Sequence, residues 1–187
     1  MSLPPVKRRS LLKINCNMES ELVNKVANSP LLTIDLEKYY PKEDFIIFDI
    51  KDYLFQGLIL KEKDFRAALK EINWQEYNQK ILLILCSADA ILPLWSFMLI
   101  AAYATPHTKT IFQGDKEAFL KVHYENVIAN WDKESYRDKR IVLKGCSEKS
   151  VPASAYVTAV NFLQPLVISL FFGEPCSTVP IYKKTKD

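Results

Sequence analysis

Three of the cysteines lead into runs of the same kind. The segments read Cys86-Ser87-Ala88-Asp89-Ala90-Ile91-Leu92-Pro93, Cys146-Ser147-Glu148-Lys149-Ser150-Val151-Pro152 and Cys176-Ser177-Thr178-Val179-Pro180. In each, serine comes next and an aliphatic residue leads into proline. Thiolate is the form that binds metal or attacks an electrophile, and cations or the N–H groups of a helix start stabilise it. Lys144 and Lys149 flank Cys146, whereas Asp89 lies beside Cys86 and opposes its ionisation. Cys146 is therefore expected to be the more acidic and more readily alkylated of the two. Gly145 before it allows close approach of backbone or ligand. Asp49, Asp52 and Asp89 offer carboxylates as oxygen ligands or proton acceptors near strand ends. One reading is a metal site of Cys86 and Cys146, joined by Cys176 and Asp89, holding zinc or an iron–sulfur cluster. A second is that the cysteines only pack as small hydrophobes. A third is a redox pair or a nucleophile. The spacing matches no standard metal signature, since C-x-x-C does not occur.

Other chemistry is poorly represented. None of the four glycines forms G-x-G or a phosphate-binding loop. The G-x-S-x-G elbow is also missing. The two histidines, His107 and His123, fall after and within helical stretches, which disfavours a Cys–His nucleophilic pair. A small-molecule enzyme would need a concave site lined by Asp49, Asp52 and Asp89. The chain reads as a binding protein more than as an enzyme. Asp35, Glu37, Glu43 and Asp44 read as a solvated turn.

The elements that must position these residues come in two similar stretches, from Lys61 and from Lys116. Each has a charged helix ending in Asn-Trp (Asn73-Trp74, Asn130-Trp131), then a tyrosine (Tyr77, Tyr136) and a basic residue (Lys80, Arg140). An apolar strand running into Cys-Ser comes next, and a proline (Pro93, Pro152) opens a second apolar helix. This ordered set predicts a duplicated helix–strand–helix unit. Ile81–Leu85 and Ile141–Leu143 are apolar enough for strands covered on both faces. Further strands are predicted at Phe45–Ile50, Thr110–Phe112 and Thr178–Tyr182, with short edge strands at Leu32–Leu36 and Gln56–Leu60. The alternation predicts an α/β layered fold with a mostly parallel sheet flanked by helices. In such sheets functional groups gather at the carboxyl ends of strands. Cys176, just before the last strand, joins the other two only if that strand runs antiparallel or if a kink at Pro165 turns the chain back.

Two predicted helices, 92–104 and 153–172, are apolar almost all round, the second kinked at Pro165. A helix of that kind must be buried on all sides, and a subunit interface is one way to do this, full burial within one subunit being the other. A homodimer is expected, anchored by residues such as Trp95, Phe97, Phe171 or Phe172.

The chain has 187 residues, 49% of them hydrophobic, with 25 basic and 22 acidic side chains and a net charge of +3. That composition excludes a disordered chain and gives no strong pull toward nucleic acid. Four cysteines are too few for a disulfide scaffold. The apolar stretch from Ile81 to Ala104 has the length of a membrane span, but Ser87-Ala88-Asp89 and Pro93 interrupt it. A strand followed by a helix explains it better, so no membrane partner is expected. Residues 1–19 read as a disordered leader or extension, with Met18 a plausible start and Cys16 outside the domain. Lys7-Arg8-Arg9 looks like a twin-arginine signal without the apolar stretch such a signal needs. The domain is expected at 20–184, with a tail at 185–187, in the cytoplasm.

Several runs resemble one bacterial family. They are Val23-Asn24-Lys25-Val26-Ala27-Asn28-Ser29, Asp49-Ile50-Lys51-Asp52-Tyr53-Leu54-Phe55, and the run from Gly57 to Arg66. Cys86-Ser87-Ala88-Asp89-Ala90, Lys144-Gly145-Cys146-Ser147 and the run from Gly173 to Pro180 complete them. Together they resemble the family called domain of unknown function 2480, over about residues 20–184. The resemblance implies no particular reaction. It brings an association with genes of iron–sulfur cluster assembly, which implies iron–sulfur assembly proteins as partners.

Overall fold

The computed structural model describes residues 31–145 and 148–185. The expected leader, Cys16, Met18, the run Val23 to Ser29, Cys146 and Ser147 lie outside the described residues.

Among the described residues, seven strands form two sheets rather than one. In sheet B the order is β2 (Phe45–Asp49), β3 (Ile81–Leu85), β4 (Thr110–Gln113), all parallel. Helices α1 (Glu62–Glu71) and α2 (Leu94–Ala104) make the two crossovers. Sheet A has the order β1 (Leu31–Asp35), β5 (Arg140–Lys144), β6 (Ser169–Glu174), β7 (Ser177–Lys183). Its first three strands are parallel, and β7 turns back antiparallel to β6. Helix α3 (Lys116–Ala129) leads from sheet B to β5, and α4 (Ala153–Leu163) connects β5 to β6. The fold is α/β, with four α-helices and two mostly parallel sheets among the described residues.

Strand alternation explains how the layers share one chain. Successive side chains of β3 point to opposite faces, and all of Ile81, Leu82, Leu83 and Ile84 are buried. Leu82 and Ile84 join Phe65, Leu69, Trp74 and Ile100 beneath α1 and α2. Ile81 and Leu83 join a second core that holds α3, α4, Ile141 and Leu143. Helix α3 touches both sheets. The Phe119 ring packs edge-on against Phe45 of β2 and Phe112 of β4, with centroids 5.5 and 5.4 Å apart. One turn on, the Tyr124 hydroxyl donates to the Leu36 carbonyl beyond β1 at 3.0 Å. Asp115 caps α3 by accepting from the Ala118 N–H at 2.8 Å.

Several expectations are corrected. Gln56–Leu60 is not a strand: a single bridge joins Phe55 and Ile59 around a tight turn. Gln56 and Gly57 both have positive φ in its three-residue loop, 52° and 73°. The predicted helix 153–172 stops at Leu163, and Pro165 ends it instead of kinking it. Residues Ser169–Glu174 are strand β6, so Phe171 and Phe172 are strand residues. The apolar α2 is not buried on all sides, because Leu94 and Met98 face outward at 79% and 72% exposure. No described helix is long and apolar enough to cross a membrane.

Candidate functional site at the strand ends

Asp49 ends β2, and its carboxylate closes the local structure. Its Oδ1 accepts the Lys51 N–H and the Ser87 N–H, each at 3.0 Å. The first bond opens the short 3-10 helix Ile50–Tyr53; the second ties the end of β2 to the loop after β3. Partial burial pushes the Asp49 carboxyl pKa up. The hydroxyl and N–H of Ser87, with the N–H and charge of Lys51, outweigh that and hold it below the ordinary value. Next to Ser87, the half-buried Cys86 thiol donates to the Ala88 carbonyl at 3.5 Å. Asp89 is exposed. Asp52 sits in the first turn of the 3-10 helix and lines a cleft of about 290 Å³ with Tyr53, Lys61 and Asp64. Of the three aspartates predicted to frame a concave site, only Asp52 lines that cleft.

The carboxyl edge of sheet A is a charged cluster. Lys144 ends β5, with Asp35 of β1 at 3.8 Å and Glu174 of β6 at 3.3 Å. The hydrogen bond to Glu174 and its charge, then the charges of Asp35 and Glu37, hold the Lys144 ammonium above its ordinary pKa. The Glu148 N–H donates to the Glu37 carboxylate at 3.3 Å. Lys149 stands over the Tyr40 ring, 5.2 Å from its centroid. The two lysines expected to favour a thiolate at Cys146 thus have other partners. Asp35 and Glu37, read from sequence as a solvated turn, instead belong to this cluster. The space beside Gly145 is taken too, because a Cβ built there would lie 2.8 Å from the Tyr156 hydroxyl.

The two described cysteines belong to different sheets. Cys86 follows β3 in sheet B. Cys176 is exposed in the two-residue turn joining β6 to β7. Because β7 is antiparallel to β6, that turn lies at the carboxyl edge of sheet A, the edge where β5 runs toward residue 146. Among the described residues, no group of three or more His, Cys, Asp or Glu side chains is placed to hold a metal ion. His123 donates from Nε2 to the Tyr39 carbonyl at 2.7 Å, and His107 lies 3.5 Å from the Gln75 amide, so both serve local structure.

A larger cleft, of about 650 Å³, was not foreseen from sequence. It opens between the first turns of α3 and α4, lined by Lys116, Glu117, Lys121, Ser150 and Ser154 among others. Lys121 closes on Glu117 at 2.7 Å, and Lys116 stands over the Phe45 ring at 4.8 Å. Its residues come from two separate segments of the chain, 116–121 and 150–154, so no local motif marks them.

Also unforeseen is an apolar surface at the carboxyl edge of sheet B. Ile91 in the loop before α2 is 97% exposed, and Leu94 and Met98 continue it along the helix. Beside it the turn after β2 exposes Phe55, Leu58 and Ile59. The spacing of 91, 94 and 98 carried the signal of one helix face, but an unbroken apolar run hides which face is outward.

No curated protein and no solved structure matches the chain. A family model described as "Protein of unknown function (DUF2480)" matches residues 20–184. The chain belongs to that family.

Proposed function

We propose that the protein is a non-catalytic binding or scaffold protein that works by presenting the carboxyl-edge surface of sheet B to another protein chain. The observation that carries this is the outward face of α2, where Ile91, Leu94 and Met98 stand in solvent at 97%, 79% and 72% exposure. Contiguous exposed apolar surface of this kind marks interaction sites in soluble proteins. The polar groups nearby support the same reading. Asp49 is spent on two backbone N–H groups, and Cys86 on a carbonyl.

The reading includes a duplicated helix–strand–helix unit, and local geometry supports it at an offset of 59 residues. Asn73 and Asp132 cap short 3-10 helices by accepting from Gln75 and Glu134. Gln79 and Asp138 then take positive φ, 57° and 54°, before β3 and β5. Their N–H groups donate to His107 and Leu166, at 3.3 and 2.9 Å. Helices Leu94–Ala104 and Ala153–Leu163 keep the same offset. In this frame Cys86 matches Gly145, so the two cysteines are not equivalent positions.

A second reading, metal held by thiolates, draws on one observation. Cys176 shares its sheet edge with the end of β5, where Lys144 reaches Glu174 at 3.3 Å. Metal analysis of the anaerobically purified full chain separates the two. Substoichiometric metal is expected for a binding protein. One zinc or iron per chain, lost in Cys176→Ser or Cys146→Ser while the circular dichroism stays unchanged, would overturn the first reading in favour of the second.

A further inference from the structure

The exposed apolar residues of α2 and of the turn after β2 belong to one surface. In a parallel sheet, the starts of both crossover helices and the loops before them lie at the carboxyl edge. Ring contacts link them across that edge: Tyr53 packs on Phe65 at 5.4 Å and Phe65 on Trp95 at 6.2 Å. On one side of this chain of rings the hairpin turn projects Phe55, Leu58 and Ile59. On the other α2 presents Leu94 and Met98, with Ile91 ahead of it. The cleft of about 290 Å³ lies beside the turn, walled by Tyr53, Leu54 and Phe55.

We propose that this surface is a two-fold self-association site, with Leu58 and Ile59 of one copy packing against Leu94 and Met98 of a second copy, and the reverse. The proposal rests on the binding-protein reading above and names the partner. Three features select a second copy. The first is shape: one face carries both a projecting apolar turn and an apolar helix with a cleft beside it. An isologous contact needs such self-complementarity, because each patch meets its own counterpart.

The second is charge. From Leu54 to Leu60 and from Ala90 to Ala104 there is no charged side chain; the charge set against this stretch is the Lys61 ammonium, 3.2 Å over the Phe55 ring centroid. The rim around the cleft carries both signs, with Asp52 and Asp64 against Lys61. A two-fold axis can therefore place the lysine of each copy opposite carboxylates of the other.

The third is area. A fully exposed apolar side chain offers roughly 60–120 Å² on the usual transfer scale, so these six, exposed by 45% to 97%, offer about 250–500 Å² per copy. A standard interface buries about 800 Å² per partner, a little over half of it apolar. The upper part of the range for these six reaches the apolar area a stable dimer needs.

Light scattering of the full chain, from low to high micromolar concentration, tests this. The expected mass is twice 21.6 kDa. Met98→Lys and Leu94→Glu should each reduce it to the single-chain mass with unchanged circular dichroism, since both side chains are mostly in solvent. Val157→Lys serves as control. It lies 59 positions beyond Met98 on α4 and is 61% exposed, and it should remain a dimer. A single-chain mass for the wild type throughout the range overturns the proposal, whatever other protein the surface then binds. So does a dimer that persists in both Met98→Lys and Leu94→Glu. Either failure leaves the metal analysis unaffected, so loss of the dimer and loss of the binding-protein reading are told apart.

Discussion

Asp49 was singled out from sequence as a carboxylate at a strand end, and its position is as expected. Its work is structural: it accepts two N–H groups from segments separated by nearly 40 residues. With the carboxyl held below its ordinary pKa, the stabilisation is fully present above the unfolded-state value of about 4. It is lost as pH falls from there through the lower folded-state value. Asp49→Asn should therefore lower stability at neutral pH, and the gap to wild type should shrink below about pH 4. Urea unfolding followed at several pH values checks this; a gap that does not change with pH would sink it. The cysteines were less legible. Their shared Cys-Ser pattern suggested one site, but local sequence cannot say which sheet a strand joins. Cys86 follows a strand of sheet B, and Cys176 turns a hairpin in sheet A.

At the scale of elements, most strands and all four helices were legible because their signals are local. Pro93 and Pro152 open α2 and α4, and β3 is an unbroken apolar run, as a buried parallel strand should be. The illegible part was where one apolar element stops. From Val157 to Phe172 nothing but Pro165 separates helix from strand, and periodicity cannot tell a buried helix from a buried strand. The β6–β7 hairpin depends on another residue with no periodic signal. Gly173 has φ of +117°, and a Cβ there would come within 2.6 Å of the Ser177 carbonyl oxygen. Gly173→Ala should cost more than about 1 kcal/mol, because a side chain fits neither the dihedral nor the space. That corresponds to a melting temperature lower by at least about 2–4 °C for a chain of this size. An unchanged melting temperature would count against this reading of the turn.

At the scale of the molecule, the division into two sheets was not legible, since it depends on which of two adjacent N-terminal strands goes where. Strands β1 and β2 are separated by fewer than a dozen residues, yet they pair with β5 and β3 respectively. Helix α3 joins the two halves, and Phe119 packs it against β2 and β4 of sheet B. Phe119→Ala should destabilise by about 3–5 kcal/mol, as large aromatic truncations in cores do. Since one core holds residues of β3 and β5 together, amide exchange should speed up in both strands, measurable by mass spectrometry. Faster exchange in β3 alone would mean that the halves unfold independently.

The distance along the chain between β1 and β5 also sets a schedule for the newly made protein. All three strands of sheet B, and both helices that cover them, leave the ribosome before Arg140 does. Among the described residues, the strand that pairs with β1 has not yet been made in that interval. At typical synthesis rates the wait between Asp35 and Arg140 lasts roughly 5–20 s. For that time one edge of an apolar strand, Leu31–Asp35, is open to any neighbouring chain that offers a strand of its own. Nascent chains on the same message are the nearest such neighbours. The arrival of β5 both completes the second sheet and closes that window.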